Sequence, residues 1–347
     1  MTDKKRALII CPGRGTYNRE ELGYLARHHS AQAALIESFD ALRREGGQTP
    51  ISELDGRSSF SPSEHTRGDN ASPLIYASAY ADFQKIDKKR FQPVAVTGNS
   101  MGWYISLAVT GVLTPIDAFK LINTMGSFMQ EALLGGQIVY PIVDETWREI
   151  PGRKKDLLRL IAEIGEDSSQ DLYLSIDLGG MMVFGGNETG LKALQGQLEP
   201  VEDRFPMRLL NHAAFHTPLQ RPISERARAS LPASLFQRPE IPLVDGRGKI
   251  WTKRGSAPHD LWDYTLGHQV VAPYDFTSAV QVAVKEFAPE RIVILGPGTT
   301  LGGAVAQSLI AINWQGLSSK ADFIARQKEE PLVLSMGMEA QRHEAVA

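Results

Sequence analysis

The sequence is poor in cysteine and has no long apolar run. Its 347 residues include one cysteine, so an internal disulfide cannot form and a secreted fold held by disulfide bridges is excluded. The basic N-terminus is followed by an apolar run from Ala7 to Cys11. That run is too short for the core of a signal peptide, and no other run approaches membrane-spanning length. We therefore expect a soluble, cytoplasmic protein with no membrane partner.

The sequence also lacks an excess of charge of one sign. Apolar residues make up 42% of the chain, enough for a sizeable core, and 37 basic residues stand against 40 acidic ones, for a formal net charge of −3. Nucleic-acid-binding proteins normally carry a clear basic excess. No cluster of His, Cys and Asp has the spacing of a metal site. We therefore expect neither a nucleic-acid partner nor a bound metal.

Three short apolar runs predict a parallel sheet. They lie at Ala7 to Cys11, at 93–97 and at 291–295, and each runs into a glycine-containing loop that a helical stretch follows. Alternation of strand and helix in this way is typical of a mainly parallel α/β protein.

A different order interrupts this pattern from about residue 137 to residue 210. The segment alternates as β-α-β-β-α-β, the order of a ferredoxin-like module, with its last strand at Met207 to Leu210. We predict a discontinuous large subdomain formed by residues 1–136 and 207–347, and a small ferredoxin-like subdomain at 137–206.

Polar composition predicts several surface features. Residues 45–72 are rich in Gly, Ser, Pro and charge, and we expect a long loop with little regular structure. The last ten residues are expected to form a frayed tail. Five histidines stand in polar surroundings and are expected to be solvated: His28, His29, His65, His259 and His343.

The strongest sign of chemistry is Gly98-x-Ser100-x-Gly102, between a β-branched run and a helical stretch. In that context the pattern is typical of a nucleophile elbow, in which a serine sits on a sharp strand-to-helix turn. The helix that begins there directs N–H groups and a positive dipole end towards a developing oxyanion. Ser100 is therefore the candidate nucleophile, and an ordinary strand-to-helix turn is the alternative.

A serine nucleophile needs a base, normally a histidine. His216 follows a predicted strand and precedes Thr217 and Pro218, where the proline ends the extended segment. An active-site loop at the end of a strand has this form. We therefore favour His216 as the base, with His212, four residues earlier, as its rival.

These landmarks and others make the sequence similar to the malonyl-CoA:acyl carrier protein transacylases and to the acyltransferase domains of fatty-acid and polyketide synthases. The similarity spans residues 7–310 and keeps the family's order of motifs. The matching segments are Cys11 to Gly15 (the PGQG loop), Gly98 to Gly102 (the GHSxG elbow), Met125 to Gln130 (RGxxMQ), Met181 to Gly186, Ala214 to Pro218 (FHSP or FHTP) and Leu295 to Gly298 (GPG). The resemblance implies an α/β-hydrolase-like large subdomain with a parallel sheet and an inserted ferredoxin-like small subdomain.

The resemblance also implies how individual residues act. Ser100 would accept the acyl group as an oxyester, and His216 would take its proton and later activate the thiol of the carrier's phosphopantetheine arm. The family orients its histidine with a backbone carbonyl, and the matching residue here is Gln269. The backbone N–H groups of Arg14 and Met101 would form the oxyanion hole. Acyl-CoA and phosphopantetheine would be substrates, with no permanently bound cofactor.

Departures from the family's motifs bear on the acyl group. The family's malonate-binding arginine is Met125 here. Asn99 replaces the histidine beside the nucleophile, Arg14 the glutamine of the opening loop and Ser72 the glutamine of a TQPA-like segment, so that Asn99, Met125 and Ser72 are the expected acyl-binding residues. A thioether cannot replace a bidentate charged pair. We therefore predict a non-carboxylated acyl group against an apolar wall at Met125. The alternative is that Arg14 supplies the cation from another side of the pocket.

The resemblance leads to an acyl-CoA:acyl carrier protein S-acyltransferase of fatty-acid or polyketide biosynthesis, with an acyl carrier protein as its partner. Two alternatives stay open: a proofreading hydrolase of acyl-carrier thioesters on the same scaffold, and a non-catalytic carrier-binding protein. Arginines around the histidine loop fit either a docking surface for an acidic carrier or an ordinary solvated surface. They are Arg204, Arg208, Arg221, Arg226 and Arg228.

Overall fold

The computed structural model describes residues 4–347, which form two β-sheets and the helices around them. The strands of this part of the chain are β1 (Lys5–Cys11), β2 (Phe91–Gly98), β3 (Gly136–Pro141), β4 (Leu172–Leu178), β5 (Met181–Gly186), β6 (Met207–Leu209), β7 (Leu243–Val244), β8 (Ile250–Trp251), β9 (Tyr274–Asp275), β10 (Arg291–Ile294) and β11 (Val333–Ser335).

The helices of the same residues are α1 (Tyr24–His28), α2 (Ala33–Glu45), α3 (Ile51–Asp55), α4 (Pro62–His65), α5 (Gly68–Lys85), α6 (Gly102–Val109), α7 (Pro115–Ala132), α8 (Arg153–Ile164), α9 (Glu188–Gln197), α10 (Arg221–Ser230), α11 (Pro258–Asp263), α12 (Gln269–Val271), α13 (Phe276–Phe287), α14 (Leu301–Ile310), α15 (Lys320–Glu329) and α16 (Glu339–Ala345). A π-helical turn at Tyr264–His268 joins α11 to α12. Short 3-10 turns lie at Arg19–Glu21, Ser30–Gln32, Pro218–Gln220, Ala233–Leu235 and Trp314–Gly316. Among residues 4–347, no helix combines the length and the apolar character that crossing a bilayer requires.

The larger sheet carries six strands in the order β11-β10-β1-β2-β7-β8. Every neighbouring pair except β7 and β8 is parallel. Strand β1 is buried without interruption from Ala7 to Cys11, as expected for a parallel strand that is covered on both faces. Cys11 at the end of β1 lies opposite Gly98 at the end of β2. The loops that follow these two strands therefore emerge side by side at one edge of the sheet.

The smaller sheet carries five strands in the order β6-β3-β5-β4-β9. Strands β3 to β6 and helices α8 and α9 follow one another as β-α-β-β-α-β. The predicted fold class, a large α/β subdomain with a parallel sheet and a ferredoxin-like insert, is confirmed. Strand β6 pairs with β3 and lies past residue 206, the predicted boundary of the insert. Strand β9 pairs with β4 and leads into α13, so the smaller sheet also takes strands from outside residues 137–206.

Residues 45–72 are not the long unstructured loop that their composition predicts, because they contain α3, α4 and the start of α5. The carboxylate of Asp40 on α2 accepts a hydrogen bond of 2.6 Å from the backbone N–H of Ile51 at the start of α3. His65 on α4 is buried, and its Nε2 lies 3.0 Å from the carbonyl oxygen of Leu54. These are specific pairings between residues 11 apart, which the composition of the segment does not reveal.

The C-terminus is an ordered helix rather than the predicted frayed tail. Arg342 on α16 donates to Oδ1 of Asp82 at 2.6 Å, and His29 Nε2 lies 2.9 Å from the same oxygen. The Tyr24 hydroxyl and the backbone N–H of Gly296 donate to the other carboxylate oxygen at 2.7 and 2.8 Å. All four of these side chains are buried. Buried charges persist only when they are paired and hydrogen-bonded, so this cluster anchors α16 to the core.

Some of the histidines that were predicted to be solvated are buried. His29 and His65 are fully buried and His28 is half-buried, whereas His259 and His343 are exposed. The prediction of solvation is therefore wrong for the first two. Nε2 of His29 lies against the Asp82 carboxylate, and Nε2 of His65 lies against the carbonyl oxygen of Leu54.

We expect Arg342→Met to lower the free energy of unfolding by about 3 kcal/mol, because it leaves the Asp82 carboxylate buried without its arginine. Arg159→Met is the matched control. Arg159 pairs with Asp156 at 65% side-chain exposure, where an ion pair contributes less than about 1 kcal/mol. Urea unfolding of both variants measures the difference, and equal losses of stability would contradict the anchoring role of the cluster.

Candidate active site

Ser100 lies on the sharp turn between β2 and α6. Its φ angle is 55°, in the left-handed region that residues other than glycine rarely adopt. The flanking glycines have no room for a side chain. A Cβ at Gly98 would lie 2.3 Å from the Gly102 carbonyl oxygen, and one at Gly102 would lie 2.3 Å from the Cys11 carbonyl oxygen. The elbow thus requires glycine at both positions for steric reasons.

His216, the candidate base, contacts the candidate nucleophile. Its Nε2 lies 2.7 Å from Ser100 Oγ, and its Nδ1 lies 2.6 Å from the carbonyl oxygen of Gln269. A carbonyl oxygen only accepts hydrogen bonds, so Nδ1 carries the proton and Nε2 is left to accept from the serine hydroxyl. The three groups form a hydrogen-bonded chain in the direction that proton removal from Ser100 requires.

Burial sets the charge of His216. Only 4% of the residue is exposed, and burial lowers its pKa to about 4, an effect that the hydrogen bond to the Gln269 carbonyl offsets in part. The ring is therefore neutral at pH 7, the state in which Nε2 can take a proton. A backbone carbonyl occupies the place that a carboxylate has in Ser-His-Asp enzymes.

The side chain of Gln269 makes contacts that sequence reasoning missed. Its Oε1 accepts a hydrogen bond of 2.7 Å from the Tyr104 hydroxyl, and its Nε2 donates to the Ser100 carbonyl oxygen at 3.1 Å. Gln269 directly follows the π-helical turn at Tyr264–His268, a distortion that is frequent at functional sites. One residue therefore holds both the histidine ring and the backbone of the serine turn.

The loop after β1 borders the serine turn, since the backbone N–H of Asn99 donates to the Cys11 carbonyl oxygen at 3.1 Å. The backbone N–H groups of Arg14 and Met101 make no hydrogen bond within residues 4–347. Both residues border the cavity that contains Ser100. Their N–H groups are therefore available to a ligand, and their role as oxyanion donors stays a prediction.

Backbone carbonyl groups hold the side chain of Arg14. Its Nη2 donates to the carbonyl oxygens of Asn211 at 2.6 Å and Thr66 at 3.2 Å, and its guanidinium lies 5.4 Å from the centroid of the Phe215 ring. Burial lowers the pKa of Arg14 to about 10, and the charge of Asp69 offsets part of that effect. The group therefore remains charged at pH 7.

The structure brings all eight predicted site residues to one cavity. Asn99, Met125 and Ser72, the predicted acyl-binding residues, border it together with the reactive residues described above. The cavity has a volume of about 110 Å³. Much of the lining is apolar and comes from α7 and from the smaller sheet: Ile122, Met129, Ile176, Val183 and Leu209.

Two further predictions concern metals and the arginines. Within residues 4–347, no group of three or more His, Cys, Asp or Glu side chains is placed to hold a metal ion. Three of the five arginines proposed for carrier docking are paired with acids, which reduces the local positive charge. These ion pairs are Arg208–Glu188 at 2.8 Å, Arg226–Glu131 at 2.6 Å and Arg228–Asp263 at 2.6 Å.

Comparison with curated sequences finds relatives along most of the chain, although no family model matches it. The chain is 26% identical over 309 residues to a phenolphthiocerol synthesis polyketide synthase type I of Mycobacterium marinum, a match that covers 88% of this chain and 14% of that protein. It is 22% identical over 329 residues to the malonyl CoA-acyl carrier protein transacylase of Salmonella typhimurium, which covers 90% of this chain and 96% of the relative. The chain thus corresponds to a small part of the synthase and to nearly the whole transacylase.

Solved structures show the same likeness. The malonyl-CoA:acyl carrier protein transacylase of Xanthomonas oryzae matches with a TM-score of 0.72 at 22% identity, over 100% of this chain and 98% of that one. A malonyl-transacylase in complex with a type II polyketide synthase acyl-carrier protein matches with a TM-score of 0.73 at 18% identity, over 99% of each chain. The chain therefore has the malonyl-transacylase fold, and the resemblance inferred from its motifs is confirmed.

We expect the reactivity of Ser100 to fall as the pH drops through about 4, rather than through the ordinary histidine value of 6.5, because protonated His216 cannot accept the hydroxyl proton. The rate of labelling by a fluorophosphonate measures this reactivity across the pH range. Circular dichroism at each pH confirms that the protein remains folded. A midpoint near 6.5 would contradict the effect of burial on His216.

Proposed function

We propose that this chain is an acyltransferase that moves an acyl group from coenzyme A to an acyl carrier protein through an acyl-serine intermediate at Ser100. The observation that carries the proposal is the hydrogen-bonded chain from Ser100 through His216 to the Gln269 carbonyl, at 2.7 and 2.6 Å. The full-length likeness to malonyl transacylases supports it. An acyl carrier protein as acceptor is supported by the similar transacylase whose structure contains one.

In the first half-reaction, His216 Nε2 takes the proton from Ser100 as Oγ attacks the thioester carbonyl of the acyl-CoA. The carbonyl oxygen becomes an oxyanion, which the N–H groups of Arg14 and Met101 bind. Each such donor contributes about 3 kcal/mol in the transition state. When the tetrahedral intermediate collapses, the C–S bond breaks and the imidazolium gives its proton to the departing coenzyme A thiolate. The acyl group remains as an oxyester on Ser100.

The second half-reaction uses the thiol of the carrier's phosphopantetheine arm. His216 takes the thiol proton as the sulfur attacks the ester carbonyl, and the proton returns to Ser100 Oγ as the C–O bond breaks. The acyl group leaves as a thioester of the carrier. A neutral histidine suits both halves, because it must accept a proton in each.

The acyl group, on this proposal, carries no carboxylate. By the match of motifs, Met125 replaces the family's malonate-binding arginine. Its side chain is buried and borders the cavity. A carboxylate buried there would lack its charged partner. Arg14 also borders the cavity, but two backbone carbonyls and the Phe215 ring hold its guanidinium in place. A monocarboxylic acyl chain fits the Met, Ile, Leu and Val side chains of the lining.

Incubation with an acyl-CoA is expected to add one acyl group to the wild-type chain and none to Ser100→Ala, as read by intact-mass spectrometry. His216→Ala should slow the acylation by roughly a thousandfold, because general-base catalysis is lost. Ser168→Ala, at an exposed serine, is the matched control and should load like the wild type.

The fate of the adduct separates the candidate functions. Transfer predicts an acyl-serine that survives in buffer and is discharged when a phosphopantetheinylated carrier protein is added. Rapid release of free acid without the carrier would identify a thioester hydrolase instead. A chain that no donor labels would contradict the proposal and support the non-catalytic alternative.

We expect butyryl-CoA to acylate Ser100 at least about tenfold faster than malonyl-CoA, because burying an unpartnered carboxylate costs several kcal/mol. Initial rates of adduct formation with the two donors measure the ratio. Met125→Leu keeps the apolar wall and should keep the preference. Faster loading by malonyl-CoA than by butyryl-CoA would contradict the expectation. If Arg14→Met then abolished the malonyl preference, Arg14 would be the residue that binds the carboxylate.

A further inference from the structure

A second histidine, His212, borders the same cavity as Ser100 and has no part in the acyl transfer described above. Its Nδ1 lies 2.9 Å from Oε1 of Gln137 on β3. The Gln137 amide nitrogen donates to Ser175 Oγ at 2.6 Å, and the Ser175 hydroxyl donates to the Phe215 carbonyl oxygen at 2.7 Å. Gln137 and Ser175 are fully buried. Two side chains inside the smaller sheet therefore hold the imidazole in place.

The direction of this chain of hydrogen bonds fixes the tautomer of His212. The Phe215 carbonyl only accepts, so the Ser175 hydroxyl must donate to it and must accept from the Gln137 amide nitrogen. The Gln137 amide oxygen then faces His212 and can only accept as well. The proton of the neutral imidazole is therefore on Nδ1, and Nε2 carries a lone pair. Within residues 4–347, that nitrogen has no hydrogen-bond partner.

The surroundings of His212 keep its ring neutral. Burial lowers its pKa to about 3, and the nearby charge of Arg14 acts in the same direction. At pH 7 the ring therefore presents an acceptor to the cavity and not a cation. A carboxylate or carbonyl oxygen of a ligand would meet a lone pair there, whereas a hydroxyl would supply the missing donor.

A second polar group beside the cavity is also unsatisfied. Asn99, the residue before the nucleophile, has a buried Oδ1 with no hydrogen-bond partner among the described residues. Leaving a buried polar atom unpaired is unfavourable. This oxygen is closed off from the cavity, so Nε2 of His212 is the group that indicates a hydrogen-bonding group on the occupant of a mainly apolar cavity.

We propose that the acyl group taken by this site bears a hydroxyl on its chain and that this hydroxyl donates a hydrogen bond to Nε2 of His212. The inference rests on the proposed acyl transfer at Ser100 and names its substrate class, the hydroxyacyl thioesters. A hydroxyl can supply the donor that Nε2 of His212 lacks, while an unsubstituted chain cannot. Gln137 is a positioning residue, because it acts through His212.

The test compares butyryl-CoA with 2-, 3- and 4-hydroxybutyryl-CoA as donors to Ser100. We expect at least one hydroxylated donor to load roughly tenfold faster than butyryl-CoA, the effect of one neutral hydrogen bond. His212→Phe keeps a ring but removes the acceptor, and should bring this ratio close to one. His343→Phe makes the same substitution at an exposed histidine and should keep the wild-type ratio.

Gln137→Met leaves His212 itself unchanged and alters the side chain that holds its Nδ1. It removes the acceptor for Nδ1–H and frees His212 to adopt the other tautomer, so the hydroxyl preference should fall. Nitrogen-15 NMR of histidine-labelled Ser100→Ala reads the tautomer without turnover. The His212 signals are assigned by their loss in His212→Phe, and we expect Nε2 to shift with a hydroxybutyryl-CoA and not with butyryl-CoA.

The outcomes distinguish the two proposals. Failure of every donor to load Ser100 would overturn the acyl transfer itself. If none of the three hydroxylated donors loads Ser100 faster than butyryl-CoA, the hydroxyl proposal is overturned and the acyl transfer still stands. A preference that survives in His212→Phe would overturn the assignment to His212. Equal slowing of all donors in that variant would also overturn it, because Nε2 would then serve the phosphopantetheine arm that every donor shares.

Discussion

The hydrogen bond between His216 Nδ1 and the Gln269 carbonyl oxygen orders the rest of the candidate site. It fixes the proton on Nδ1 and so leaves Nε2 facing Ser100, whereas an unpartnered imidazole could adopt either tautomer. A backbone carbonyl has no titratable proton, so it orients the ring without burying a second charge behind it. The side chain of the same Gln269 holds the Ser100 carbonyl, which couples the position of the base to that of the nucleophile.

The larger sheet positions the reactive loops, and the smaller sheet lines the cavity. The parallel sheet brings the loops after β1 and β2 together, because Cys11 and Gly98 end those strands side by side. The smaller sheet supplies apolar lining such as Val183, and its interior holds the polar chain from Gln137 to His212. On the proposals made above, the large subdomain performs the chemistry and the insert selects the acyl group.

Local patterns were sufficient where short-range physics decides the structure. The turn at Ser100 could be predicted from its glycines, and the order of strands in the insert from the change of period. The start of α3 depends on a hydrogen bond to Asp40, and α16 is held in place by Asp82. The acceptor state of His212 depends on Gln137 and on the side chain behind it. The last two pairs are 260 and 75 residues apart, and even the first is formed only once the chain has folded, so the sequence pattern does not reveal them.

The place of β1 in the larger sheet bears on the order in which the chain folds. This strand is synthesised first, yet it lies between β2 and β10, and its Ala7 pairs with Arg291. Until β10 leaves the ribosome, one edge of an apolar strand has no partner, and such edges are prone to aggregation. The larger sheet therefore stays incomplete through most of the translation of this chain, and a strand near its C-terminus completes the pairing of the first one.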